Sequence, residues 1–164
     1  MALDAYILIE GVEGESTDAQ HKGWIEMQSF GNGHRQPVSR PASTAGGGAS
    51  GRANFYDFYF EKLLDKASPK ITLLCASGRH IDKISVAIYR AAGDERVKYM
   101  EYTMTNCIIS DYLVSGDGED HFPLETVGIN YGRIVWNYIQ QRRDGGGPAG
   151  NIMAGWDLQT NSKV

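Results

Sequence analysis

Residues 54–80 read NFYDFYFEKLLDKASPKITLLCASGRH, and a change of period inside this stretch decides the fold class. From Asn54 to Lys62 the side chains alternate, with Tyr56, Phe58 and Phe60 on one face against Phe55, Asp57 and Tyr59 on the other. A period of two is that of a strand. The alternation stops at Leu63–Leu64. Beyond it Ser68 suits a helix N-cap, Pro69 the first helical position, and Gly78 the residue just past the last turn. Between them Ile71, Leu74 and Cys75 stand at helical spacing. The stretch therefore predicts a strand followed by one short helix over about Pro69–Ser77.

Working outward, the rest of the chain reads as strands. Ala5–Glu10 (AYILIE) is apolar and β-branched. Trp24–Phe30 alternates, with Ile25 and Met27 on one face and Trp24, Glu26 and Gln28 on the other. Lys83–Ala91 alternates through Ile84, Val86 and Ile88, and a turn at Ala92–Glu95 follows. Val97–Val114 is long enough for one long strand or two with a bend. Phe122–Tyr131 alternates with a break, Arg133–Gln141 continues in the same style, and Ile152–Leu158 could close the sheet. Seven to nine strands joined mostly by short turns predict an antiparallel sandwich or barrel with the helix at its flank.

The length of 164 residues fits one domain, 1–164, with a sizeable core. Nine tyrosines and three tryptophans agree with a β-dominated fold. Residues 31–53 (GNGHRQPVSRPASTAGGGASGRA) break the pattern, being rich in Gly, Ser, Ala and Pro and without periodicity. A loop of this length inside a compact domain is usually functional or disordered, and it reads as a protruding arm.

Composition excludes several function classes. The net charge of −4 gives no global basic character for nucleic acid. No segment approaches the roughly 20 apolar residues that span a bilayer, so no stable membrane insertion is expected. MALDAYILIE lacks a basic n-region and has too short an apolar run for a cleaved signal peptide. Cys75 and Cys107 stand at no metal-site spacing and read as reduced thiols.

Residues 11–30, GVEGESTDAQHKGWIEMQSF, place Glu13, Glu15, Asp18 and His21 close together. They match neither the oxygen pattern of a calcium loop nor the recognisable zinc spacings. The expectation is a solvated polar turn, in which Glu15, Ser16 and Asp18 bond local backbone amides. A triad of Ser68, His80 and Asp82 has no nucleophile elbow to support it, since G-x-S-x-G is absent. Neither GGG run carries the spacing of a phosphate loop. No catalytic, metal or cofactor site is expected, and the reading is a non-enzyme.

Charge is laid out unevenly. From Gln28 to Tyr56 there are three arginines, Arg35, Arg40 and Arg52, and no acid. From Tyr99 to Gly132 there are six acids, Asp117, Glu119 and Asp120 clustered among them, and no Lys or Arg. A basic arm and a separate acidic region predict head-to-tail self-association of successive copies, sensitive to salt.

Three segments together resemble the haemolysin-coregulated protein (Hcp) family, the inner-tube subunits of bacterial type VI secretion systems. They are GVEGESTDAQHKGWIEMQSF, FEKLLDKASPKI with its Asp65-Lys66-Ala67-Ser68-Pro69 run, and Gly155-Trp156-Asp157 near the end. The resemblance spans Asp4 to about Asn161. It implies a two-sheet β-barrel with a flanking helix, assembled into hexameric rings that stack into a hollow tube. It also implies partners: further copies, the tube-tip spike protein, the contractile sheath, and small effector proteins carried in the lumen. The implied route is from the bacterial cytoplasm to the extracellular space or a target cell. Residues 31–53 sit where the family's long loop reaches neighbouring subunits. The alternatives are a phage tail-tube-like subunit and a monomeric β-barrel ligand-binding protein.

Overall fold

The computed structural model describes residues 3–38, 51–92, 95–119, 122–142 and 148–164. Its strands are β1 (Asp4–Ile9), β2 (Ile25–Glu26), β3 (Ser29–Gly31), β4 (His34–Arg35), β5 (Asn54–Phe55) and β6 (Phe58–Leu63) before the helix α1 (Ser68–Ser77). After it come β7 (Ile81–Ala92), β8 (Glu95–Ser115), β9 (Leu124–Gln141), β10 (Pro148–Asp157) and β11 (Ser162–Lys163). The fold is mainly β and every pairing is antiparallel, as the alternation predicted. The eleven strands exceed the seven to nine expected. The surplus consists of pieces of two or three residues, too short to show a period.

The barrel closes through a change of partner within one short segment. Ile25 and Glu26 pair with Ile7 and Tyr6 of β1, whereas Ser29–Gly31 pair with Glu61, Phe60 and Tyr59 of β6. The handover lies between them: Met27 N–H donates to Ala5 O at 3.0 Å, and Gln28 N–H donates to Glu61 O at 2.7 Å. With β1 on β7, β7 on β8, β8 on β9 and β9 on β6, the ring of backbone hydrogen bonds is complete.

β8 and β9 are long because each serves two sheets. The first half of β9, Leu124–Ile129, has β6 as its outer neighbour; from Arg133 onward that neighbour is β10. The corner between them is Gly132, opposite Asn106, whose φ is +59°. A Cβ at Gly132 would lie 2.6 Å from Asn106 Nδ2, so only glycine leaves room for the side chain that turns the strand pair.

Alternate positions on all these strands point inward. Ile7, Ile9, Ile25, Met27, Phe58, Phe60, Ile84, Val86, Ile88, Met104, Ile109, Val127, Ile129 and Ile134 are almost wholly buried. Burying each such side chain contributes about 1.5–3 kcal/mol. Helix α1 seals the flank with Ile71 and Leu74 inward and Leu73 in solvent. It ends at Gly78, whose φ of +61° and N–H bond to Cys75 O at 3.3 Å form the expected C-terminal cap.

The start of α1 corrects the sequence reading. Ala67, not Ser68, occupies the N-cap position, and no side chain caps it. Ser68 is the first residue of the helix, which places Pro69 second. The Ser68 hydroxyl is drawn away by stronger partners in a buried network, described next.

Candidate assembly surface

In β6 the inward alternation of Phe58 and Phe60 continues to Lys62, which is fully buried. Its ammonium pairs with Glu125 of β9, equally buried, and with Asp65 Oδ1 at 2.8 Å. It also donates to Leu63 O at 2.8 Å and Ser68 Oγ at 3.1 Å. Ser68 Oγ in turn donates to Glu125 Oε2 at 2.8 Å and accepts Asp65 N–H at 3.0 Å, while Tyr112 O–H donates to Glu125 Oε1. Burial, and then the bond to Glu125, push the Tyr112 phenol up. A buried ion pair is tolerated only when its remaining hydrogen-bonding capacity is filled, and Asp65 and Ser68 fill it. The D-K-x-S-P run is thus the clamp on a lysine that the alternating pattern drives into the core.

A second network explains the segment 11–24. Ser16 Oγ accepts Asp18 N–H at 3.2 Å, and Asp18 Oδ1 accepts the N–H groups of Gln20 and His21, both at 3.0 Å. These are the local bonds expected of Ser16 and Asp18. Glu15 does otherwise: its Oε1 accepts Lys66 N–H at 3.0 Å, tying the turn to the approach of α1. Nor is the turn solvated throughout, since His21 is 5% exposed. Its ring stacks on Tyr6 at 4.8 Å and meets Trp24 and Tyr89 edge-on at 4.5 and 5.2 Å. Sequence reasoning missed this cage because its walls come from three distant segments.

Arg96 of β8 covers the cage. Its guanidinium lies 4.7 Å from the Tyr89 ring centroid and bonds Asp18 Oδ2 at 2.5 Å, Asp4 Oδ1 at 3.2 Å and Tyr6 O–H at 2.9 Å. Burial raises the Asp18 carboxyl, but the hydrogen bonds from Arg96 and His21 outweigh it and bring the group down to about 2. Burial, with Asp4 adding to it, pushes the Tyr6 phenol up to about 12. No group of three or more metal-capable side chains exists among the described residues.

The predicted assembly residues are surface features. Arg35 is exposed on β4 opposite Asn54, and Arg52 is exposed nearby. Neither joins an ion pair among the described residues. Asp117 and Glu119 are exposed in the turn between β8 and β9, where Glu119 N–H donates to Asp117 Oδ1 at 3.2 Å. Arg40 and Asp120 lie outside the described residues. Within one chain the structure does not join Arg35 or Arg52 to Asp117 or Glu119.

One surface feature was not anticipated. β10 hangs on β9 beyond the barrel closure, and β11 covers its outer edge only at Trp156 and Asp157. Val164 N–H reaches Gly155 O at 3.0 Å, which leaves the edge from 149 to 154 uncovered among the described residues. Ile152 and Met153, one on each face of this strand, are each 65% exposed. Ile152 pairs with Tyr138, itself 41% exposed, so apolar surface continues inward.

Comparison with known proteins accounts for this combination of closed barrel and unfinished edge. The family model described as "Type VI secretion system effector, Hcp" matches residues 6–138. Protein hcp1 of Pseudomonas aeruginosa is 31% identical over 161 residues, covering 98% of each chain. Among solved structures, a type six secretion system protein superposes with a TM-score of 0.91 at 33% identity, covering 99% of this chain and 100% of the other. Hcp1 of Salmonella typhimurium gives 0.81 at 30% identity, with 100% of both chains covered. On its fold and on these likenesses, the chain belongs to the Hcp family of the type VI secretion system.

Proposed function

We propose that this protein is the ring-forming structural subunit of a type VI secretion tube. Six copies close a ring, rings stack into a hollow tube, and the tube leaves the cell with small effectors able to ride in its lumen. Its partners are then further copies, the spike at the tube tip, the contractile sheath and effector proteins. Family membership supports the reading, and the observation that carries it is the open edge of β10 with Ile152 and Met153 in solvent.

A long uncovered edge with apolar flanks is a liability for a monomer and an asset for a subunit. A contact between unlike surfaces of successive copies closes a ring when the rotation between them closes. The arm arginines Arg35, Arg40 and Arg52 and the acids Asp117, Glu119 and Asp120 then supply attraction between copies, weakened by salt.

Negative-stain imaging and native mass measurement of the purified protein test this. Rings with a central hole are expected, stacking more readily at low salt. Ile152→Glu combined with Met153→Lys should abolish rings while leaving the far-ultraviolet circular dichroism of a folded β protein. A wild-type protein monomeric at every concentration and salt tested refutes the proposal.

A further inference from the structure

A groove of about 290 Å3 opens where the ends of β6 and β9 meet the acidic turn. Leu63, Leu64 and Phe122 form its apolar side and are 43%, 41% and 71% exposed. Glu15, Glu26 and Asp65 form the other side, and no Lys, Arg or His lines it. The negative charge is not cancelled from behind. Asp65 and Glu125 share the single buried cation of Lys62, leaving one carboxylate charge over. Lys66 is engaged outside the groove, with Glu13 at 3.0 Å. Glu26 is exposed on β2 and free to meet a cation.

The volume suits two or three side chains rather than a drug-sized molecule, whose pockets begin at about 300 Å3. The chain itself contains a segment of the matching chemistry. At the base of the arm, Arg35 is exposed with no ion-pair partner among the described residues, and Val38 is 64% exposed. No acid stands between Gln28 and Tyr56 to compete for the arginine.

We propose that this groove receives residues 35–38 of a second copy of the chain, with Val38 against Leu63, Leu64 and Phe122 and the Arg35 guanidinium beside Glu26. The occupant is a second copy because the chain's own arm starts at the far end of the molecule. His34 lies against Phe55 and Trp136, with ring centroids 5.0 and 5.8 Å away. Trp136 is far along β9 from Leu124, the residue paired with Leu63 at the groove. Extended strand of that length spans roughly 40 Å at about 3.3 Å per residue. Arm base at one end and groove at the other make a head-to-tail contact, which repeats along an axis. This deepens the tube reading and rests on it, assigning the contact to stacking rather than to ring closure.

Arg35→Glu and Glu26→Arg, singly and together, test the pairing. Both positions are exposed, whereas Glu15 and Asp65 hold structural bonds and are left intact. Each single change should lower the stacking constant by up to about five-fold per contact at low salt, the reach of an exposed ion pair. Ring content by native mass should not change, and the double variant should recover wild-type stacking. Unchanged stacking in the singles, or a double variant weaker than either, overturns the groove assignment while leaving rings, and hence the tube reading, standing.

A cross-link test works even if no rings form, a result that would count against the tube reading alone. Val38→Cys and Leu64→Cys are placed on separate chains in a Cys75→Ser background, because burial pushes the Cys107 thiol up to about 12 and keeps it unreactive. Mixing the two should give a disulfide between chains under mild oxidation. A disulfide only within a chain carrying both cysteines, or none in either case, overturns the proposal.

Discussion

Replacing Lys62 by methionine tests whether the buried network organises the barrel wall. Methionine keeps most of the side chain's length and apolar stem, so packing around β6 changes little. What disappears is the one cation shared by Asp65 and Glu125, at a position with no exposed surface. Breaking a buried pair by removing one partner costs about 3–5 kcal/mol, because the remaining charge is left uncompensated. Glu125 keeps two donors, the hydroxyls of Ser68 and Tyr112, so the lower half of that range is expected.

In equilibrium urea denaturation, with a slope of about 2 kcal/mol/M, a loss near 3 kcal/mol moves the midpoint down by about 1.5 M. Tryptophan fluorescence at one fixed protomer concentration is the assay, since association adds its own stabilisation. Lys62→Met with Glu125→Met should be less destabilised than Lys62→Met alone. It removes both charges and leaves only the two hydroxyls short of an acceptor, at about 1 kcal/mol each. A Lys62→Met loss below about 1 kcal/mol, or a double variant showing the sum of the two single losses, would refute the reasoning.

The Asp18 carboxyl contributes stability that is full above its ordinary pKa near 3.8 and is lost as pH falls toward about 2, because its folded value is the depressed one. Asp18→Asn should therefore flatten the acid limb of the stability profile between about pH 4 and pH 2, measured by acid titration of circular dichroism; an unchanged limb would contradict it. Gly14→Ala should destabilise, because its Cβ would stand 2.3 Å from Trp24 O and 2.8 Å from Ile25 Cγ1. Overpacking of this kind costs about 1–3 kcal/mol, readable as a lowered melting temperature, and no change would mean that the turn relaxes freely.

The strands and the helix end were legible in the sequence because their signals are local. Ile84, Val86 and Ile88 alternate and are all buried, and Gly78 ends the helix where a left-handed residue is needed. The suspected break near Tyr131–Arg133 is real, and Gly132 is its cause. Two kinds of feature were not legible. Ser68 has the chemistry of a cap, yet a buried cation six residues earlier in the chain outcompetes the helix for its hydroxyl.

The cage around His21 needs Tyr6, Tyr89 and Arg96, and the closure at Met27 and Gln28 needs Ala5 and Glu61. No window along the chain contains those partners together. The open edge of β10 was hidden for the same reason, since an edge is defined by what fails to pair with it. The charge layout did point to separated surfaces, and Arg35 and Glu119 are indeed exposed far from any common ion pair.

The position of β10 outside the barrel closure also sets an order in time. Chains emerge N-terminus first and fold as units while they are made. The last strand needed to complete the barrel ends at Gln141, and the uncovered edge begins only at Pro148. Newly made protein therefore has every strand of its closed core before it acquires the surface on which another chain can add. Synthesis itself keeps the adhesive edge from meeting a half-folded neighbour.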